Sequence, residues 1–247
     1  MGPERRKIGD FFLKIPAALT LFCAFSLLFC ASSLLFSQAP PAPHAPPPKF
    51  TVVLDPAHGG DDAGATLKSG EQEKALTLTF SARLRSLLGA RGMQVVLTRE
   101  SDTMVAADQR AEIADRAQAQ ACLSLHFTET GSGVHLFASD LPAAPPTHFL
   151  PWKTAQAAWV NRSLALTGAL NSALDHAGLA VTLSRTALPG MDSMACPAVA
   201  IEIAPDRGAG RTGANEPVKA AVTDPNYQSQ VAEALAAALL AWRAEAR

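Results

Sequence analysis

FTVVLDPAHGG, residues 50–60, opens on an apolar, β-branched run and closes on Asp-Pro, a histidine and two glycines. Phe50–Leu54 therefore reads as a short buried strand ended by a turn, with His58 just past its carboxyl end. Helices and further strands follow. Residues 74–88 place Leu76, Phe80, Leu84, Leu87 and Leu88 at helical spacing before Gly89 and Gly92 stop the helix. Residues 93–98 (MQVVLT) are a second strand, 105–120 an alanine-rich helix, 121–126 a third strand and 134–138 a fourth. A proline-containing loop over 141–151 leads into a long helix over 152–177. A short strand at 180–183, an apolar strand at 198–204 and a helix at 228–243 complete the chain. Strands alternating with helices imply the α/β class: a three-layer α/β/α domain over residues 50–247 around a mostly parallel sheet.

In such sheets the carboxyl ends of the strands carry the site. His58 and His126 (in SLH) fall at such ends, and Glu73 (in GEQEK) opens the first helix, where the helix dipole favours a carboxylate. Two imidazoles and one carboxylate are a set that catalytic zinc uses, with a fourth position open to water. Glu202 is the lone charge of PAVAIEIAP, and burying it costs several kcal/mol unless something there needs it. Each residue alone has a plainer reading: a turn histidine, a helix-cap charge, a core histidine. Jointly they point to a metal centre. His135 in GVHLF and His176 on a helix read as structural, and His148 as a candidate groove residue. Asp55 and Asp62 flank the first ligand and are expected to orient it. Arg99, Asp102 and Arg110 read as braces, and Arg185 as a contact for a substrate carboxylate.

The amino-terminal quarter has another composition. Arg5, Arg6, Lys7 and Lys14 mark a basic cytoplasmic n-region over residues 1–14, and residues 15–38 are uncharged and largely apolar. That is the pattern of an export signal or membrane anchor, with the folded part on the outer side. Ile15–Phe36 reaches the roughly 20 residues of a spanning helix, and Pro40 follows the small-residue stretch where cleavage would fall. Residues 39–49 are a stiff Pro-rich linker. With 21 basic and 22 acidic residues the chain has no basic excess for nucleic acid. Cys122 and Cys196 read as small buried hydrophobes, with a disulfide open to them in an oxidising compartment.

Residues 51–65 (TVVLDPAHGGDDAGA), Glu73-Lys74, Thr98-Arg99 with Asp102, Arg110, Ser124-Leu125-His126, and Pro197-Ala198 with Glu202 together resemble the zinc-dependent N-acetylmuramoyl-L-alanine amidases of bacterial cell walls. The likeness runs from Phe50 to the C-terminus. It implies Zn2+ held by His58, Glu73 and His126, a catalytic Glu202, and cleavage of the amide between N-acetylmuramic acid and L-alanine in peptidoglycan. The alternatives are another zinc peptidase acting within the stem peptide, or a non-catalytic wall-binding relative. The implied partners are peptidoglycan, the membrane through the N-terminal segment, and a protein activator. The implied location is the periplasm or the outer face of the cytoplasmic membrane. Two departures stand out: Ala57 replaces the usual glycine, and Phe127-Thr128 replace the usual Ala-Asn after the second histidine, which is expected to alter the wall near the metal.

Overall fold

Apolar residues alternate with small or polar ones along each central strand, so each strand presents two different faces. In the computed structural model, which describes residues 49–145, 150–208 and 217–245, those strands form one six-stranded sheet. The strands are β1 (Thr51–Pro56), β2 (Gln94–Leu97), β3 (Ala121–Phe127), β4 (Val134–Ser139), β5 (Val181–Thr186) and β6 (Ala198–Ile203). Their order across the sheet is β2-β1-β3-β6-β4-β5. All neighbours pair in parallel except β6 and β4, so the sheet is mostly parallel with one reversal.

The helices are α1 (Glu73–Ala90), α2 (Ala107–Arg116), α3 (Val160–His176) and α4 (Pro225–Glu245). They divide unequally between the faces. Val52, Leu54, Leu123, Leu125, Val199 and Ile201 meet leucines of α1, α3 and α4 such as Leu84, Leu170 and Leu235, all fully buried. At about 1.5–3 kcal/mol per buried large apolar side chain, this thick layer supplies most of the stability. On the opposite face Val53, Cys122, Ala198 and Ala200 meet a smaller cluster that includes Ala111, Ala114, Met191 and Met194. That layer is thin because β6 alternates Val199, Ile201 and Ile203 toward one side with Ala198, Ala200 and Glu202 toward the other. The three-layer expectation holds, with one layer shallow enough to leave room for a site.

The long helix expected over 152–177 is two elements. A 3-10 segment, Trp152–Ala158, itself kinked at Thr154, precedes α3, with Trp159 between the two. Buried Gln156 explains the break. Its amide donates to Met194 O and Cys196 O (both 2.9 Å) and its carbonyl accepts from Ser163, tying the segment to the stretch before β6. Cys122 and Cys196, read above as buried hydrophobes, form a disulfide with Cα atoms 6.4 Å apart, joining β3 to that same stretch.

The basic n-region, the apolar span, the linker up to residue 48 and His148 lie outside the described residues. Among the described residues no helix is long and apolar enough to cross a membrane.

Candidate metal centre

β1 runs out at Pro56, and the chain then turns through His58 in a left-handed conformation (φ 63°). A side chain there costs roughly 1–2 kcal/mol, so the turn must be held from outside. Arg110 pairs with Asp55 and donates to Pro56 O (2.9 Å) and His58 O (2.8 Å). Arg99 donates to Pro56 O, Ala57 O and Lys74 O at 2.8–2.9 Å. Lys74 binds Gly60 O (2.6 Å) and Asp102 (2.8 Å), and Asp102 accepts from Gly60 N (2.8 Å). The expected braces are therefore braces, and their target is the backbone around the first histidine. Gly59 must be glycine, because a Cβ there would lie 2.3 Å from Thr103 O.

The held turn aims His58 inward. Asp62 takes its Nδ1 at 2.9 Å, as expected of an orienting acceptor. Asp55 does not touch His58. It accepts instead from Thr98 and Ser124 (2.5 and 2.9 Å) and pairs with Arg110, which corrects the expectation of a direct orienting role. Glu73, the first residue of α1, is buried and accepts backbone N–H bonds from Ala65 (2.9 Å) and Phe127 (3.1 Å). Its Oε1 also lies 3.1 Å from His126 Nδ1, and the two histidine rings meet edge-on at 5.3 Å. One ligand atom from each of His58, Glu73 and His126 lies within 4.8 Å of the others.

Burial alone would push the Glu73 carboxyl up. The imidazoles of His126 and His58 and the Ala65 N–H outweigh it and hold the acid well below the usual carboxylate range. The Glu73 carboxylate in turn raises His58, against the opposing effect of burial and with help from Asp62. One detail fits a cation better than a proton. His58 Nε2 is buried 3.1 Å from Glu73 Oε2, yet it makes no hydrogen bond among the described residues. A buried nitrogen beside a carboxylate but without a hydrogen bond is costly, and a shared metal ion would satisfy both groups. A cavity of about 440 Å³ opens beside the set, with Met104, Leu188 and Met191 along its apolar side.

Residues 52–241 match the Amidase_3 family, described as N-acetylmuramoyl-L-alanine amidase. The chain belongs to that amidase family. Among curated amidases it is 39% identical over 94 residues to N-acetylmuramoyl-L-alanine amidase AmiA of Escherichia coli, covering 36% of this chain and 32% of the relative. It is 41% identical over 119 residues to the probable cell wall amidase LytH of Staphylococcus saprophyticus, covering 44% and 39%. The match thus spans only 32% and 39% of these relatives' lengths. The fold is that of the amidase Ami1 of Mycobacterium smegmatis (TM-score 0.64, 20% identity, 79% of this chain and 97% of that one). It is likewise that of the catalytic domain of CwlV from Bacillus (Paenibacillus) polymyxa (0.61, 23%, 79% and 98%).

Within this amidase-family fold, both departures from the usual motifs can be placed. Ala57 is buried on the cavity lining. Phe127 points away from the site, into the thick layer, where its ring meets Phe80 edge-on at 5.6 Å. Phe127 therefore does not reshape that wall, and the Thr128 hydroxyl meets the Thr130 hydroxyl at 2.9 Å. Glu202 pairs in register with His126 on β3 and sits on the same face. Its side chain is 34% exposed, so the burial cost expected from its apolar strand is largely avoided. Arg185 donates to Ser139 O and Leu141 O (both 3.0 Å), a backbone brace where a substrate contact was expected. His176 bonds Ser172 O on its own helix (2.6 Å), a local contact that fits the structural reading.

Two residues were missed. Gly64 (φ 63°) lies so close that a Cβ would fall 2.6 Å from His58 Cδ2 and 2.7 Å from Glu73 Oε2. His135, read as structural, contacts Glu202 at 2.9 Å. The available signal was its place in GVHLF, on the strand face opposite Val134 and Leu136.

Proposed function

We propose that this protein hydrolyses the amide between N-acetylmuramic acid and the L-alanine of the peptidoglycan stem, with zinc held by His58, Glu73 and His126. The carrying observation is the clustering of those three ligand-type side chains around a buried His58 nitrogen that has no hydrogen-bond partner among the described residues. Asp62 fixes the His58 tautomer that leaves Nε2 free for a ligand, and two backbone N–H groups orient the Glu73 carboxylate. Zinc, when bound, supplies Lewis acidity toward water and the scissile carbonyl. Glu202 acts as the proton carrier: it takes the proton of the attacking water and delivers it to the departing amine. No serine or cysteine nucleophile is required.

The apolar span over residues 15–38 supports export, with the domain tethered to the outer face of the cytoplasmic membrane. A protein activator is part of the same reading, and CwlD of Clostridioides difficile, solved in complex with the GerS lipoprotein, is a relative in fold for which a protein partner is known. Digestion of purified peptidoglycan followed by mass spectrometry tests the reaction. Free stem peptides beginning with L-alanine support it, whereas products cut within the stem point to a zinc peptidase.

A further inference from the structure

β4 brings to the site a side chain that neither the ligand set nor the proton carrier accounts for. In the antiparallel register His135 lies directly across from Glu202, and its Nδ1 is 2.9 Å from Glu202 Oε1. On the other side of Glu202, in the parallel register, lies His126. The carboxylate thus stands between a metal-ligand candidate and a second histidine. The His135 ring is confined. Phe137 meets it edge-on at 6.4 Å, and Gly131 (φ 77°) leaves space that a Cβ would take up 2.5 Å from His135 Cε1. Glu202 Oε2, by contrast, accepts no hydrogen bond among the described residues.

We propose that His135 is a positioning residue for Glu202: its Nδ1–H donates to Oε1, holds the carboxylate in one orientation, and leaves Oε2 as the oxygen that handles protons. The inference rests on the amidase reading. Oε2 accepts a proton from water as the water oxygen bonds to the lactyl carbonyl carbon. It returns that proton to the L-alanine nitrogen as the C–N bond breaks, giving a carboxyl group and a free amine. A glutamate at the open end of a strand, one-third exposed, would otherwise sample several rotamers, and a misplacement of about 1 Å can cost roughly 100-fold in rate.

The charged group facing His135 is Glu202 from β6. Its own strand and the preceding loop contribute Phe137 and the backbone of Gly131 and Ser132, and β5 contributes Thr182 as cross-strand partner. The Glu202 hydrogen bond raises His135 above the ordinary histidine value despite burial.

The test uses the purified, zinc-loaded full-length protein. His135→Phe keeps ring volume and removes the donor, and His135→Asn restores a donor. The Phe variant should lose roughly 10- to 100-fold in kcat with KM little changed, and with zinc content and melting temperature as in the parent. The Asn variant should recover most of the loss, and adding His135→Phe to Glu202→Gln should cost nothing further. Parent-level kcat in the Phe variant, or a full additional loss in the Glu202→Gln background, overturns the proposal. A readout without turnover guards against misfolding: side-chain 15N NMR of His135 should titrate above the ordinary value in the parent and near it in Glu202→Gln. An unchanged titration overturns the contact even in a preparation that releases no muropeptide. Absence of stem peptides from the parent overturns the amidase reading instead.

Discussion

Breaking the Cys122–Cys196 bridge should lower the stability of the domain by about 4 kcal/mol. The two cysteines are 74 residues apart in sequence, and cross-linking a loop of that length removes about 4.5 kcal/mol of chain entropy from the unfolded state at 25 °C. Residual denatured-state structure offsets part of it. For a domain of about 200 residues, each kcal/mol shifts the melting temperature by about 2–4 °C, so reduction should lower it by roughly 8–16 °C. The assay is paired thermal and guanidinium unfolding of oxidised protein, reduced protein and the Cys122→Ala/Cys196→Ala double variant. Thiol titration of each sample confirms its redox state. Because the bridge also pins the stretch carrying Met191 and Met194, reduction should loosen one wall of the cavity, seen as faster hydrogen exchange there. A reduced protein that melts within 2 °C of the oxidised one would refute the loop-entropy reasoning. Two titratable thiols in protein isolated without reductant would refute the bridge itself.

Other outcomes follow from the same geometry. Gly64→Ala should abolish high-affinity zinc binding, by elemental analysis, because its Cβ would fall 2.7 Å from Glu73 Oε2; the cost in stability should be only about 1–3 kcal/mol, the scale of one strained backbone position. Glu202→Gln should keep zinc and melting temperature while losing roughly 10²- to 10⁴-fold in muropeptide release, whereas His126→Ala should lose the metal as well. His135 is raised in the folded state, so its pairing stabilises fully below the unfolded value near 6.5 and fades as pH rises through the folded value. The urea midpoint of metal-free protein should therefore fall above about pH 6.5, and fall less steeply in His135→Phe. Fractionation with N-terminal sequencing should find the protein membrane-bound with its first residues intact; a soluble product starting near Pro40 would make residues 15–38 a cleaved signal.

The strands were legible because runs such as TVVL and AVAIEI sort their side chains by face within a few residues. His58, Glu73 and His126 were legible because each stands where a strand or turn must end or a helix begin, so topology alone brings them to one edge. What stayed hidden depends on contacts between distant segments. That β4 lies antiparallel beside β6 decides the partner of His135, and no local pattern in GVHLF states which strand is its neighbour. Gln156 broke a helix through bonds to residues 38 and 40 positions away. Arg185 looked like a substrate contact because a lone exposed-type cation gives no hint of the carbonyls it will find.

The unequal layers have a consequence for how such a domain can change over time. Residues that hold the fold sit under α1, α3 and α4, while those that shape the cavity sit across the sheet among alanines and methionines. Substitutions at Met104, Leu188 or Met191 can therefore redraw the pocket while the leucine layer absorbs the cost. A lineage could alter what the pocket accepts by drift in that wall without first acquiring compensating stability. A saturation library scored separately for abundance and for muropeptide release should show the split: intolerance of both kinds at Leu84 or Leu235, and altered release at normal abundance at Leu188.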